Sequence, residues 1–175
     1  DGGKFNSKKK AIEHVGKMIE NGADIIDIGA VSSRPFSKNI SFQEEKNRLF
    51  PCLKEIIKNF PDVILSVDTF RSEIAKIAID SGATIINDIY GGSYDKNMLN
   101  YIAENNIPYI LMHMKGKPSN MQKNIFYKNF EEDILNFFKR KKEELVSLGH
   151  NNLIIDPGFG FGKTINQNFK LISLI

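Results

Sequence analysis

A single cysteine, Cys52, leaves this 175-residue chain without an internal disulfide. That fits a reducing compartment and predicts a cytoplasmic protein. Cys52 falls in a helical pattern, where a packed thiol is expected rather than a nucleophile. No apolar run approaches the roughly 18–20 residues that cross a bilayer, and no signal-peptide pattern opens the chain. A membrane partner is therefore not expected. Lys and Arg number 24 against 21 Asp and Glu, a net charge of +3, too weak to argue for nucleic acid. The lysines at 8–10 and at 139, 141 and 142 read as solvated helix faces. His14, His113 and His150 lack metal-ligand spacing, so no metal site is expected within this segment. There is no linker or low-complexity tract, and residues 1–175 read as one domain. The opening "DGGKF" resembles the inside of a loop and the closing "NFKLISLI" a helix face, so both ends read as cut.

A phosphate loop is also missing, although "IIDPGFGFGKT" at 154–164 suggests one. Gly158 and Gly162 enclose only three residues, where the P-loop needs four before Gly-Lys-Ser/Thr. The fourth place back is Pro157, which has no N–H to give a phosphate. The strict alternation of Gly158, Gly160 and Gly162 also fails the dinucleotide fingerprint.

Five short, nearly continuous apolar runs are present: "ADIIDIG", "VILSVDT", "TIINDI", "YILMHM" and "LIIDPG". Such runs suit strands covered on both faces. Helical patterns separate them. Ser41 with Glu44 predicts a capping box, and Pro51 either bends the helix that follows or marks its true start. Asp95 and Asn129 are expected to cap two later helices. Strand-helix alternation with short connections predicts an α/β fold of parallel strands. Each run carries a polar residue near its C-terminal end: Asp27, Asp68, Asn87, His113 and Asp156. Five polar ends predict one ring at the mouth of a (β/α)8 barrel, in preference to a doubly wound sheet with its single switch point.

Two carboxylates and a carboxamide in an apolar cup suit a neutral heterocycle with polar edges. A carboxylate accepts two hydrogen bonds side by side, and an asparagine both donates and accepts. Phe159 and Phe161 alternate with glycines, which are expected to let the backbone approach a flat ring. Phe161 could also be plain core, and Lys163 stays open between the site and a solvated helix start.

The strings "GADIIDIG" with "SSRP", "SVDTFRSEIA", "GATIINDI", "YILMHMKGKPSNMQ" and "DPGFGFGKTINQNF" resemble the dihydropteroate synthase family, in order and along nearly the whole chain. The resemblance implies a partial TIM (β/α)8 barrel holding strands 2 to 6 with their helices. It also implies a transferase that joins 4-aminobenzoate to (7,8-dihydropterin-6-yl)methyl diphosphate in folate biosynthesis, and a sulfonamide target. By the same resemblance, Asp156 binds the amino-pyrimidinone edge, Asn87 the adjacent ring nitrogen and amine, and Asp68 the N–H of the reduced ring. Asp68 and Arg34 would be catalytic, Met112 and Phe161 would wall the ring, and Ser33, Arg34 and Pro35 would serve pyrophosphate and aminobenzoate. Magnesium is implied, its ligand expected in the absent first strand, and the full-length protein is expected to be a homodimer. This stretch alone is expected to be inactive. Ala30, Val31, Ser33 and Phe36 depart from the commonest pattern of the family, Phe36 most severely because it replaces a glycine. Two other readings are a pterin-binding domain of a methyltetrahydrofolate-dependent methyltransferase, which shares the acid-asparagine-acid set, and an inactive paralogue.

Overall fold

A computed structural model describes residues 8–34, 37, 40–123 and 125–174. Pro35 and Phe36 lie outside the described residues. Along the chain run α1 (Lys8–Glu20), β1 (Ile25–Gly29), α2 (Phe42–Asn59), β2 (Ile64–Asp68), α3 (Ser72–Asp80) and β3 (Ile85–Asp88). Then follow α4 (Met98–Glu104), β4 (Tyr109–Met112), α5 (Phe130–Ser147), β5 (Leu153–Asp156) and α6 (Ile165–Ile172). The strands make one parallel sheet in the order β1-β2-β3-β4-β5. Every crossover steps to the next strand in the same direction. A doubly wound sheet would reverse at a switch point, so this is part of a (β/α)8 barrel wall.

Alternation along the strands sorts the side chains onto two faces. Ile26, Leu65, Val67, Ile86, Tyr109 and Leu111 turn outward and are at most 1% exposed. They pack into one core with Leu53 and Ile56 of α2, Ile74 and Ala78 of α3, Ile102 of α4 and Leu145 of α5. The other face carries Ile25, Ile64 and Ile154, which are 42%, 46% and 44% exposed. Above them on that face stand the polar strand ends.

The helix starts follow the expected chemistry in part. Ser41 Oγ accepts the Glu44 N–H at 3.2 Å, and α2 runs unbroken through Pro51, so Ser41 marks its start. Asn129 is the N-cap of α5, but its amide donates to Glu132 Oε2 at 2.9 Å and caps no helix N–H. Asp95 differs more. The N-cap of α4 is Asn97, while Asp95 Oδ2 accepts from the N–H and hydroxyl of Ser72, at 2.8 and 2.7 Å. Asp95 therefore caps α3 from a neighbouring loop, a tertiary contact that local sequence cannot reveal.

Candidate functional site

β2 and β3 meet with Asp68 beside Asn87, both turned to the inner face. Asp27 of β1 joins them, accepting from Asn87 Nδ2 at 3.3 Å. Asn87 Oδ1 is buried and has no hydrogen-bond partner among the described residues, and the same holds for Ser66 Oγ one pleat below Asp68. Burial pushes the Asp68 carboxyl up to about 8, and the charges of Asp27, Asp88 and Glu45 push the same way. Asp68 is thus protonated at neutral pH in the free chain, and it sits where extra positive charge would be welcomed. The sequence motifs assigned no role to Asp27, although its place at a strand end was visible. Asp88 lies on the opposite, outward face, where it accepts from Tyr90 N–H, Gly92 N–H and Tyr109 Oη, each at 2.8 Å. It shapes the turn that follows Asn87.

Across the sheet, Met112 pairs with Asp156. Met112 clusters with Phe70 and Ile89, and Phe161 packs against the cluster, so the two expected wall residues do come together. Asp156 Oδ1 accepts the Gly158 N–H at 2.8 Å, which fixes the carboxylate while leaving acceptor capacity on both oxygens.

The glycine-rich turn after Asp156 works differently from the expectation. A Cβ on Gly158 would fall 2.1 Å from the His113 carbonyl oxygen, and one on Gly162 would fall 2.3 Å from that of Lys115. These two glycines let the turn press on the backbone leaving β4, so they serve packing between loops. Only Gly160 faces open space. Lys163 completes the junction. It is 3% exposed, and its ammonium donates to the carbonyls of His113, Gly158 and Phe161 at 3.1, 2.9 and 3.1 Å. Burial brings its pKa down to about 8, opposed by Asp156. The solvated helix start considered for Lys163 is therefore wrong: the cation is an internal clamp behind the site.

His113 does not join the ring. It follows Met112, so the pleat turns it to the helix layer, where its ring meets Phe137 edge-on at 4.9 Å. Burial, with Lys163 and Lys115 nearby, holds it down to about 3 and therefore neutral. Ser33 and Arg34 lie in the turn after β1. The Arg34 carbonyl accepts the Ser37 N–H at 3.1 Å, and Ser37 Oγ donates to the Ser32 carbonyl at 2.6 Å. Pro35 has no described position. Among the described residues no group of three or more His, Cys, Asp or Glu is placed to hold a metal ion. They do not fit magnesium by themselves. A cavity of about 730 Å³ opens on the helix side beside Phe42, Ser72, Tyr94 and Asp95. On the inner face Ile25, Ile64 and Ile154 remain exposed.

The family described as pterin binding enzyme matches residues 1–175. A dihydropteroate synthase of Clostridium beijerinckii is 43% identical over 175 residues, 99% of this chain and 62% of that protein. A mitochondrial folate synthesis bifunctional protein of Arabidopsis thaliana is 43% identical over 179 residues, 98% of this chain and 32% of that protein. The crystal structure of Yersinia pestis dihydropteroate synthase in a sulfonamide drug complex superimposes with a TM-score of 0.93 at 39% identity, covering 99% of this chain and 63% of that one. The chain thus spans about a third to just under two thirds of the length of these relatives. No helix among the described residues is long and apolar enough to cross a membrane.

Two outcomes follow from this geometry. Gly158→Ala combines a clash against backbone with a φ of +68°, whereas Gly160→Ala at +81° meets nothing within 4 Å. The first should cost roughly 2–5 kcal/mol of stability and the second only about 1–2 kcal/mol, measured by urea denaturation. Equal costs would remove the packing role of Gly158. Asp68 gives a pH dependence. Its folded pKa, about 8, lies above the ordinary 3.8, so the folded chain keeps a proton that the unfolded chain has released. Its contribution is full below about pH 4 and is lost as pH rises to about 8, with a slope up to roughly 1.4 kcal/mol per pH unit. Asp68→Asn should flatten urea-denaturation stability across that window and exceed wild type at pH 8. An unchanged slope would assign the proton elsewhere.

Proposed function

Because this chain belongs to the pterin-binding enzyme family, we propose that the whole protein is a dihydropteroate synthase. It condenses 4-aminobenzoate with (7,8-dihydropterin-6-yl)methyl diphosphate, giving 7,8-dihydropteroate and pyrophosphate. The observation that carries this reading is the inner-face set: Asp68 and Asn87 on one rung, with Asn87 Oδ1 buried and without a partner among the described residues. A ligand N–H would relieve that oxygen, whose isolation is otherwise costly.

In this reading the Asp156 carboxylate receives the two adjacent N–H groups of the amino-pyrimidinone. Asn87 meets the neighbouring ring nitrogen and amine, and Asp68 meets the N–H of the reduced ring. Met112 and Phe161, already packed in one cluster, wall the ring and exclude water. The C–O bond to the diphosphate breaks first, and its electron pair leaves with pyrophosphate. The pterin then carries a delocalised positive charge. Asp68 gives up its proton to solvent as that charge develops, because a cation beside a buried carboxyl reverses the balance that held it neutral. Asp27 and Glu45, whose charges already act on Asp68, extend the same negative field. The aniline nitrogen attacks the exocyclic carbon, forming the C–N bond and losing its proton to solvent. Ser33 and Arg34 serve the diphosphate and the aminobenzoate, with Pro35 beside them in sequence. Magnesium does not fit the described residues, and no step runs through it. The reading extends to a homodimeric, cytoplasmic protein that sulfonamides inhibit. The last point is supported by the sulfonamide complex of the Yersinia pestis relative.

Asp156→Asn sets an amide donor against a ligand donor. The mismatch costs about 1–3 kcal/mol, so pterin affinity should fall roughly ten- to a hundredfold by calorimetric titration. Unchanged affinity would take Asp156 out of the site. Arg34→Ala should leave pterin binding within about twofold while raising the aminobenzoate KM and lowering kcat by about tenfold. Steady-state kinetics decide this: weakened pterin binding with an unaltered aminobenzoate KM would overturn the role given to Arg34.

A further inference from the structure

The stretch carrying Ser33 and Arg34 leaves β1 at Gly29 and enters α2 through Ile40 and Ser41. Both of its roots rest on residues 68–71. At the first root, Gly29 is the register partner of Asp68, and a Cβ on Gly29 would meet the Asp68 Cβ at 3.0 Å. At the second root, Arg71 Nη2 donates to the Ile40 carbonyl at 2.7 Å. Arg71 Nη1 pairs with Glu45 Oε2 in the first turn of α2. Glu45 Oε1 accepts from Thr69 Oγ1 at 2.7 Å, and Thr69 Oγ1 in turn accepts the Arg71 N–H at 3.3 Å. The Glu45 side chain is 0% exposed and that of Arg71 15%.

A buried ion pair is weak evidence of anything beyond itself, because apolar residues often hold a fold as well. Two features point past simple stabilisation. One arm of Arg71 ends on the loop-root carbonyl of Ile40, where an apolar side chain could not substitute. The guanidinium also lies 4.7 Å over the ring of Phe70, and Phe70 packs with Met112 beside Val31 and Phe161 at the mouth. Four consecutive residues thus alternate in duty: Asp68 faces the pterin position, Thr69 holds Glu45, Phe70 lines the mouth, and Arg71 holds Ile40.

We propose that Glu45 and Arg71 are positioning residues for the second substrate, fixing the α2 root of the Ser33–Arg34 stretch against the strand end that carries Asp68. This rests on the synthase reading, in which Ser33 and Arg34 meet diphosphate and aminobenzoate. The pair also sets part of the field at Asp68, which is faced by Asp27 from β1, Asp88 from β3 and Glu45 from α2. Arg71 offsets the Glu45 charge. Its loss should raise the Asp68 titration further, and loss of the Glu45 charge should lower it.

The test uses the whole protein with Arg71→Met, Glu45→Gln and the double variant. Arg71→Met strands a buried carboxylate and should lower the melting temperature, whereas the double variant removes both charges and should recover it. In every variant that folds, the aminobenzoate KM should rise about tenfold or more, with the Kd for 6-hydroxymethylpterin within about twofold. The decisive case is the double variant. A KM that stays high after stability returns supports positioning, whereas a KM that returns with it reduces the pair to a fold stabiliser. Carbon-13 NMR of the Asp68 carboxyl should show its midpoint moving up in Arg71→Met and down in Glu45→Gln. Unmoved midpoints would separate the pair from the site and overturn the proposal. A wild-type protein that binds the pterin yet forms no dihydropteroate would defeat the synthase reading instead, independently of these variants.

Discussion

The pleat of β2 is the constraint on which the site depends. Leu65 and Val67 must enter the helix layer, where both are fully buried. Ser66 and Asp68 are therefore forced to the inner face, since successive side chains on a strand point opposite ways. A shift of one residue would send Asp68 into the core and Val67 into the mouth, so the hydrophobic layer fixes the polar one. Parallel register then passes the placement sideways: Asp68 sets Asn87 and, across β4, Met112 sets Asp156. The geometry of the inner face is a by-product of outward packing.

The electrostatics follow from that placement at a cost. Asp27, Asp68, Asp88 and Glu45 are close enough for three of them to act on the fourth. The fold makes this tolerable by giving most of them fixed donors. Asp88 has two backbone N–H groups and a phenol, Glu45 has Thr69 and Arg71, and Asp27 has the Asn87 amide. Asp68, turned toward the inner face, takes up its burial first and the residual repulsion second as a raised pKa, which is cheaper than staying ionised without a counter-charge. A perturbed carboxyl beside an apolar wall is a common mark of a working site.

Much of this was legible in sequence, because it rests on short-range rules. The five strands and the inward turn of Asp68 and Asn87 follow from apolar runs and alternation, and the meeting of Met112 with Phe161 was implied by the family resemblance. What failed was one miscounted step of the pleat and, elsewhere, contacts with neighbours distant in sequence. His113 stands at a strand end like the others, but one step beyond Met112 puts it on the wrong face. Asp95 does accept the Asn97 N–H at the start of α4, as a local cap would, but its other oxygen holds Ser72, 23 residues away. The glycines at 158 and 162 suggested room for a ligand, when their missing Cβ atoms make room for the backbone at 113 and 115. Lys163 looked like a solvated helix start because nothing local shows three carbonyls converging on it.

Lys163 and Arg71 solve the same problem on opposite sides of the mouth. Loops at the top of a parallel sheet have no ladder to pair with, so their carbonyls need donors from elsewhere. A cation with several N–H groups can satisfy carbonyls from separate segments at once, which a neutral donor cannot. Lys163 gathers the end of β4 and the turn after β5, and Arg71 gathers the root of α2 and the end of β2. Lys163 turns its charge toward three backbone oxygens, and Arg71 divides its donors between the Ile40 carbonyl and the Glu45 carboxylate. The positive charge that orders the loops is thereby taken up by carbonyls and by Glu45, away from the inner-face carboxylates of Asp27 and Asp156. The order of the loops and the electrostatic sign of the inner face arise from one arrangement, with Lys163 and Arg71 held at loop roots while Asp27, Asp68 and Asp156 face inward.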